Sequence, residues 1–190
     1  MDDICDGGRT FDPVEGMPNT SSAAVNGGFS GGDVLVTITG VVGPAVYAPA
    51  PMLGLDLVAG HDTDDLDALI LHENGDGVFT PPQSMFDWVF GNSDMIFFSV
   101  RRGSALIGAP DSIFGIPIEE GDILMPPLPG GVSPFPGIFI AAENLGLATL
   151  RSGVALQPWA DDLNALDVVI PQPGTLALLG LGGLLIRRRR

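Results

Sequence analysis

Three short motifs occur twice in this chain, in the same order, and they restrict its fold more than any other feature. Gly32-Asp33-Val34-Leu35-Val36 is echoed by Gly121-Asp122-Ile123-Leu124-Met125. Leu53-Gly54-Leu55 is echoed by Leu145-Gly146-Leu147. Asp64-Asp65-Leu66-Asp67-Ala68-Leu69 is echoed by Asp161-Asp162-Leu163-Asn164-Ala165-Leu166. Ser93-Asp94-Met95-Ile96 is a further, partial echo of the first motif. The separations differ by a few residues, as expected when loops take the insertions. The pattern predicts a weak internal duplication of a β unit. The fold is then mainly β, a sandwich or barrel, with a small propeller-like ring as the alternative. Coincidence in a chain rich in Leu, Gly and Asp is the competing reading.

Local sequence agrees with short strands and many turns. Glycine and proline are abundant, 27 and 17 residues, and such chains break often. Residues 19–32 are small and polar and read as a flexible lead-in. Residues 33–39, DVLVTIT, form a strand rich in β-branched side chains. Residues 52–58, MLGLDLV, are a second strand candidate. Residues 66–71, LDALIL, are a third, or a short helix capped by Asp64 or Asp65. Val78-Phe79 begins a further strand that Pro81-Pro82 ends. Residues 95–100, MIFFSV, read as a buried central strand, closed by Arg101-Arg102-Gly103. The arginine doublet is read as a solvated turn rather than an anion site.

The last twenty residues are of a different kind. A Pro-Gln-Pro-Gly turn at 171–174 precedes an uncharged apolar run, residues 176–186, and then four arginines. Leu, Ala and Ile suit a helix in lipid, and Gly180, Gly182 and Gly183 are tolerated there. The terminal arginines stay on the cytoplasmic side by the positive-inside rule, so the body lies across the membrane. Residues 173–186 as helix span roughly 21 Å at about 1.5 Å per residue, against a hydrocarbon core of about 30 Å. A span this short is marginal and suits transient insertion.

This tail resembles the PEP-CTERM sorting signal of exported bacterial proteins. The resemblance covers about 20 of 190 residues. It implies an exosortase-type membrane protease as partner, which recognises the box, removes the helix and releases or attaches the body. The box corresponds to Pro171, Gln172 and Pro173, followed by Gly174, and the basic cluster to Arg187, Arg188, Arg189 and Arg190. Gln172 stands where the family has Glu, which removes a charge and keeps a similar shape. The expected division is a lead-in over 1–31, a β-rich extracytoplasmic domain over 32–170, and the sorting tail with its short apolar helix over 171–190.

Charge fits export. There are 23 acidic residues against 8 basic ones, and four of the eight are the terminal arginines. Such a surface repels nucleic acid and anionic lipid, so nucleic acid is excluded as a partner. Residues 1–10 have neither a basic n-region nor an apolar h-region and form no signal peptide. The export signal is therefore expected upstream or already removed, with a cytosolic tail-anchored protein as the alternative. Cys5 is the single cysteine and makes no internal disulfide.

The densest candidate chemistry lies at residues 61–77, HDTDDLDALILHENGDG. Asp62, Asp64, Asp65 and Asp67, with Asn74 and Asp76 nearby, are candidate Ca²⁺ ligands, being hard oxygens at close spacing. The loop from His72 is a poor EF-type match: His72 replaces the first acid and Gln83 stands twelfth. Acidic turns on a soluble acidic protein are the preferred reading, and no cofactor is required. His61 and His72 are too few for a side-chain zinc site. No G-x-S-x-G elbow surrounds a serine, and no glycine loop follows a strand to hold phosphate. No catalytic residue is assigned. The expected protein is an exported surface or matrix component, associated with the membrane through its tail and then with extracellular polysaccharide. A secreted polysaccharide-acting enzyme and a Ca²⁺-dependent adhesive module are the alternatives.

Overall fold

The computed structural model describes residues 4–6, 28–37, 44–60, 62–153 and 160–167. Among these residues, seven strands fall into two antiparallel sheets. The first contains β1 (Ile4–Asp6), β2 (Val34–Thr37) and β3 (Pro44–Ala48), in that order. The second contains β4 (Leu66–His72), β5 (Met95–Val100), β6 (Ile123–Met125) and β7 (Gly137–Ile140), again in chain order. Both are meanders, with open edges among the described residues, and the fold is mainly β with little helix and no closed barrel.

The expected strand over 52–58 is instead a single helical turn, α1 (Ala50–Leu53), followed by Gly54 at φ 84°. Pro51 sits in the first turn, where its missing N–H is harmless. Gly54 takes the left-handed cap, where a Cβ is disfavoured. Its Cβ would also lie 2.7 Å from the Pro136 nitrogen, so close packing excludes a side chain as well. The expected strand at 78–79 is absent, because Glu73 to Thr80 turns on its own carboxylates. Residues 66–71 are strand, not helix.

The two sheets share one core. Val34, Tyr47 and Ala48 of the first meet Leu66, Ile96, Phe98, Val100, Leu124 and Ile138 of the second. All six residues of β5 are buried, as continuous apolarity predicts for a strand covered on both faces. Ile96, Phe98 and Val100 face the shared core, while Met95 and Phe97 enter a second cluster with Met125, Ile70, Trp88 and Phe139. There Phe97 stacks on Phe139 with ring centroids 4.1 Å apart, and Trp88 meets Phe97 edge-on at 5.8 Å.

The recurrent motifs occupy matching places. Asp33 precedes β2 and accepts from the Ser30 and Ala50 amides at 2.9 and 2.8 Å. Asp122 precedes β6 and accepts from the Glu119 and Ala142 amides at 2.9 and 2.8 Å. Ala50 opens α1, and Ala142 opens a 3-10 turn, Ala142–Leu145, that Gly146 closes at φ 81°. A Cβ on Gly32 would meet Asp64 O, Ala50 Cβ and Leu55 Cδ1; one on Gly121 would meet Asp161 O, Ala142 Cβ and Leu147 Cδ1. Each glycine therefore marks the same three-way contact of strand, helical turn and the Asp-Asp motif.

Candidate functional site

Of the acidic residues singled out in the sequence, Asp62, Asp64 and Asp76 accept from the backbone. Asp62 accepts from the Gly31 amide at 2.8 Å. Asp64 is almost fully buried and accepts from the Asp56 amide, the Ser104 hydroxyl and the Leu106 amide at 2.7–2.8 Å. Asp65 pairs with Arg101 at 3.2 Å. A buried carboxylate needs such donors to offset its lost hydration. Arg101 is thereby drawn into an ion pair rather than left as a solvated turn.

Asn74 and Asp76 lie in the turn after β4. The Asp76 amide donates to Asn74 Oδ1 at 3.0 Å and the Val78 amide to Asp76 Oδ1 at 2.8 Å. The bond from Val78 holds the Asp76 carboxyl below its ordinary range. His72 ends β4 opposite Met95, and His61 lies outside the described residues. Among the described residues, no three His, Cys, Asp or Glu side chains are arranged to hold a metal ion.

Sequence reasoning missed the acids that organise the body. Asp94, 1% exposed, accepts from the Asn74 and Thr80 amides and from the Tyr47 hydroxyl, all within 2.9 Å. Burial, and then the bond to Asp94, raises the Tyr47 phenol far above its usual value. Asp111 accepts from the Ile113, Phe114 and Ile116 amides at 2.8–3.0 Å. Asp122, buried, also binds Arg151, whose guanidinium reaches Glu143 at 2.7 Å. The Arg151 bond holds the Glu143 carboxyl at about 2. An aspartate directly before a run of apolar β residues was the readable signal for Asp33, Asp94 and Asp122 alike.

One acidic pair is under-partnered. Glu120 Oε2 and Asp162 Oδ1 are buried without a hydrogen-bond partner among the described residues. Burial, and next the Asp67 charge, raises the Asp162 carboxyl. With its amide nitrogen turned towards them, Asn164 donates to Asp67 and Asp162 at 2.7 and 3.2 Å. In the first motif the position of Glu120 is taken by Gly31, where a Cβ would lie 1.8 Å from Asp65 Oδ1. A side chain there displaces the arrangement in which Asp65 meets Arg101.

None of the described helices is long and apolar enough to cross a membrane. Pro171, Gln172, Pro173, Gly174, the apolar run and the four arginines lie outside the described residues. No curated protein and no solved structure matches the chain. Residues 169–190 match the family model described as the PEP-CTERM protein-sorting motif, which marks the chain as carrying the sorting signal of an exported protein directed to the membrane and processed by an exosortase.

Proposed function

We propose that this is an exported structural protein whose acidic β body functions at the cell surface or in the extracellular matrix, without catalysis and without a required cofactor. The observation that carries the reading is the sorting-motif match at residues 169–190. Pro171, Gln172 and Pro173 present an extended segment to the protease, because proline keeps the preceding backbone out of a helix. The apolar run holds the precursor in the membrane and the arginines keep the carboxyl terminus in the cytoplasm. The body after release is strongly acidic, which favours solubility and loose association with a hydrated polysaccharide layer.

The body's geometry supports a structural role. Asp33, Asp64, Asp94 and Asp122 are bonded to amides of distant segments, and Asp111 holds the turn that follows it. A carboxylate so engaged fixes loops and is poorly placed to move a proton. The motif equivalences further support a body built from a repeated β unit.

Intact mass of the protein from membrane, surface and medium fractions of its host tests the reading. Surface or medium material should lack the residues after the Pro171–Pro173 box. A full-length carboxyl terminus confined to membranes refutes processing.

A further inference from the structure

We propose that copies of this chain assemble head to tail by strand addition, residues 161–167 of one copy pairing with β1 of the next. The two sheets are unequal. The second runs β4-β5-β6-β7, whereas the first runs β1-β2-β3. Matching Asp33 with Asp122 aligns Leu35 of β2 with Leu124 of β6. Leu35 pairs with Cys5, and Leu124 pairs with Phe98. Strand β1 therefore holds the place of β5, and among the described residues the first sheet has no counterpart of β4.

A β4 counterpart exists elsewhere in the chain. Residues 161–166 repeat residues 64–69, the entry into β4. The equivalence is geometric as well. The Asp56 amide donates to Asp64 at 2.8 Å and the Ala148 amide donates to Asp161 at 2.8 Å. Yet residues 160–167 belong to no sheet among the described residues. Among the described residues, the first sheet thus has no strand of this sequence, and residues 161–167 join no sheet. An edge strand and a matching segment outside any sheet, among the described residues, form the arrangement used in β-strand addition.

The segment lies against its own second sheet rather than beside its own β1. The Ser99 hydroxyl donates to Leu163 O at 2.6 Å, and Arg102 donates to Ala160 O at 2.7 Å. In β5, Ser99 alternates with Phe98 and so lies on the face of Met95 and Phe97, away from the first sheet. That face continues into exposed apolar side chains. Phe86, 54% exposed, packs edge-on against Phe139 at 6.0 Å, and Val89 and Phe90 beside it are exposed too. A second copy's first sheet, completed by residues 161–167, would cover the exposed Phe86, Val89 and Phe90. The contact is heterologous, so it propagates or closes into a ring.

The register is specified. Leu69 pairs with Phe98; Leu166 corresponds to Leu69 and Cys5 to Phe98. Leu166 of one copy should stand opposite Cys5 of the next, within the Cα separation of about 4.5–5.5 Å that an antiparallel pair provides and a disulfide accepts. The test uses the full chain in detergent, with Leu166→Cys against the native Cys5. Mild oxidation should give a disulfide between copies, mapped by peptide mass to positions 5 and 166, and multiples of the monomer on a non-reducing gel. Ala165→Cys, whose side chain leaves the opposite face of the strand, should give at least tenfold less. Sedimentation of the unmodified chain should show concentration-dependent assembly, a readout independent of any folding defect in the variants. A monomer at all concentrations, a 5–166 bond within one chain, or equal cross-linking of the two variants would each overturn the proposal.

Discussion

Replacing Arg151 by Met examines the ionic centre of the second motif copy. Arg151 bonds Asp122 Oδ1 and Glu143 Oε2, each at 2.7 Å, and Pro117 O. Its side chain is 15% exposed, and that of Asp122 is fully buried. Removing one partner of a buried pair typically costs about 3–5 kcal/mol. The first motif copy indicates the lower end. Asp33 is buried with two amide bonds, and Asp122 retains the equivalent two after the substitution. The expected loss is therefore about 3 kcal/mol at pH 7, a fall of roughly 6–12 °C in Tm for a chain of this size.

The pH dependence sharpens the prediction. Arg151 bonding lowers Glu143 from 4.5 to about 2 in the folded state. A depressed carboxyl contributes stability that is full above 4.5 and is lost as pH falls towards 2. The parent should lose this contribution between those values; Arg151→Met should lose much less, so the two stability curves converge in acid. Urea unfolding from pH 7 to pH 2.5 measures both. Parallel curves, or a cost below 1 kcal/mol at pH 7, would show that the guanidinium does not hold this junction.

Three other outcomes follow from the same structure. Gly32→Ala and Gly121→Ala should each destabilise by about 1–3 kcal/mol through overpacking, since the added Cβ meets atoms at 2.8–3.0 Å in both places; denaturant midpoints unchanged in either would contradict the shared three-way contact. Tyr47 is the single tyrosine, and its raised phenol should show no phenolate absorbance through about pH 10–11 until the chain unfolds. Stability should then fall above about pH 10, because the unfolded chain alone releases the proton. Tyr47→Phe should cost about 1 kcal/mol, since Asp94 keeps its bonds from Asn74 and Thr80, and calorimetry measures it.

Much of the architecture was readable because it depends on local patterns. Residues 95–100 form a central strand since six consecutive apolar or small residues suit burial on both faces. The recurring Gly-Asp and Leu-Gly-Leu motifs mark equivalent junctions, because a glycine at close approach and an aspartate accepting amides are needs of one residue each. Residues 52–58 misled because their apolar spacing suits a strand as well as a turn of helix. The left-handed Gly54 against Pro136 selects the turn, and that contact spans over eighty positions.

The candidate acids were harder to assign. Clustering along the chain suggested Ca²⁺, but whether a carboxylate faces a cation or an amide depends on what distant segments bring to it. Leu106 and Ser104 come to Asp64, and Tyr47 comes to Asp94. Arg151 was not singled out at all, since its partners Asp122 and Glu143 meet it only after β6 and β7 pair.

The sequence by itself determined the tail, because the protease box, the apolar run and the arginines are read in linear order and match a sorting motif without reference to the body. It also determined the β class and the repeated junctions, through glycine, proline and alternation. Only the tertiary structure decided that the buried acids bind backbone amides and that, among the described residues, the strands divide into one sheet of three and one of four. Those outcomes depend on which remote donors and edges meet in space, and linear spacing does not encode that.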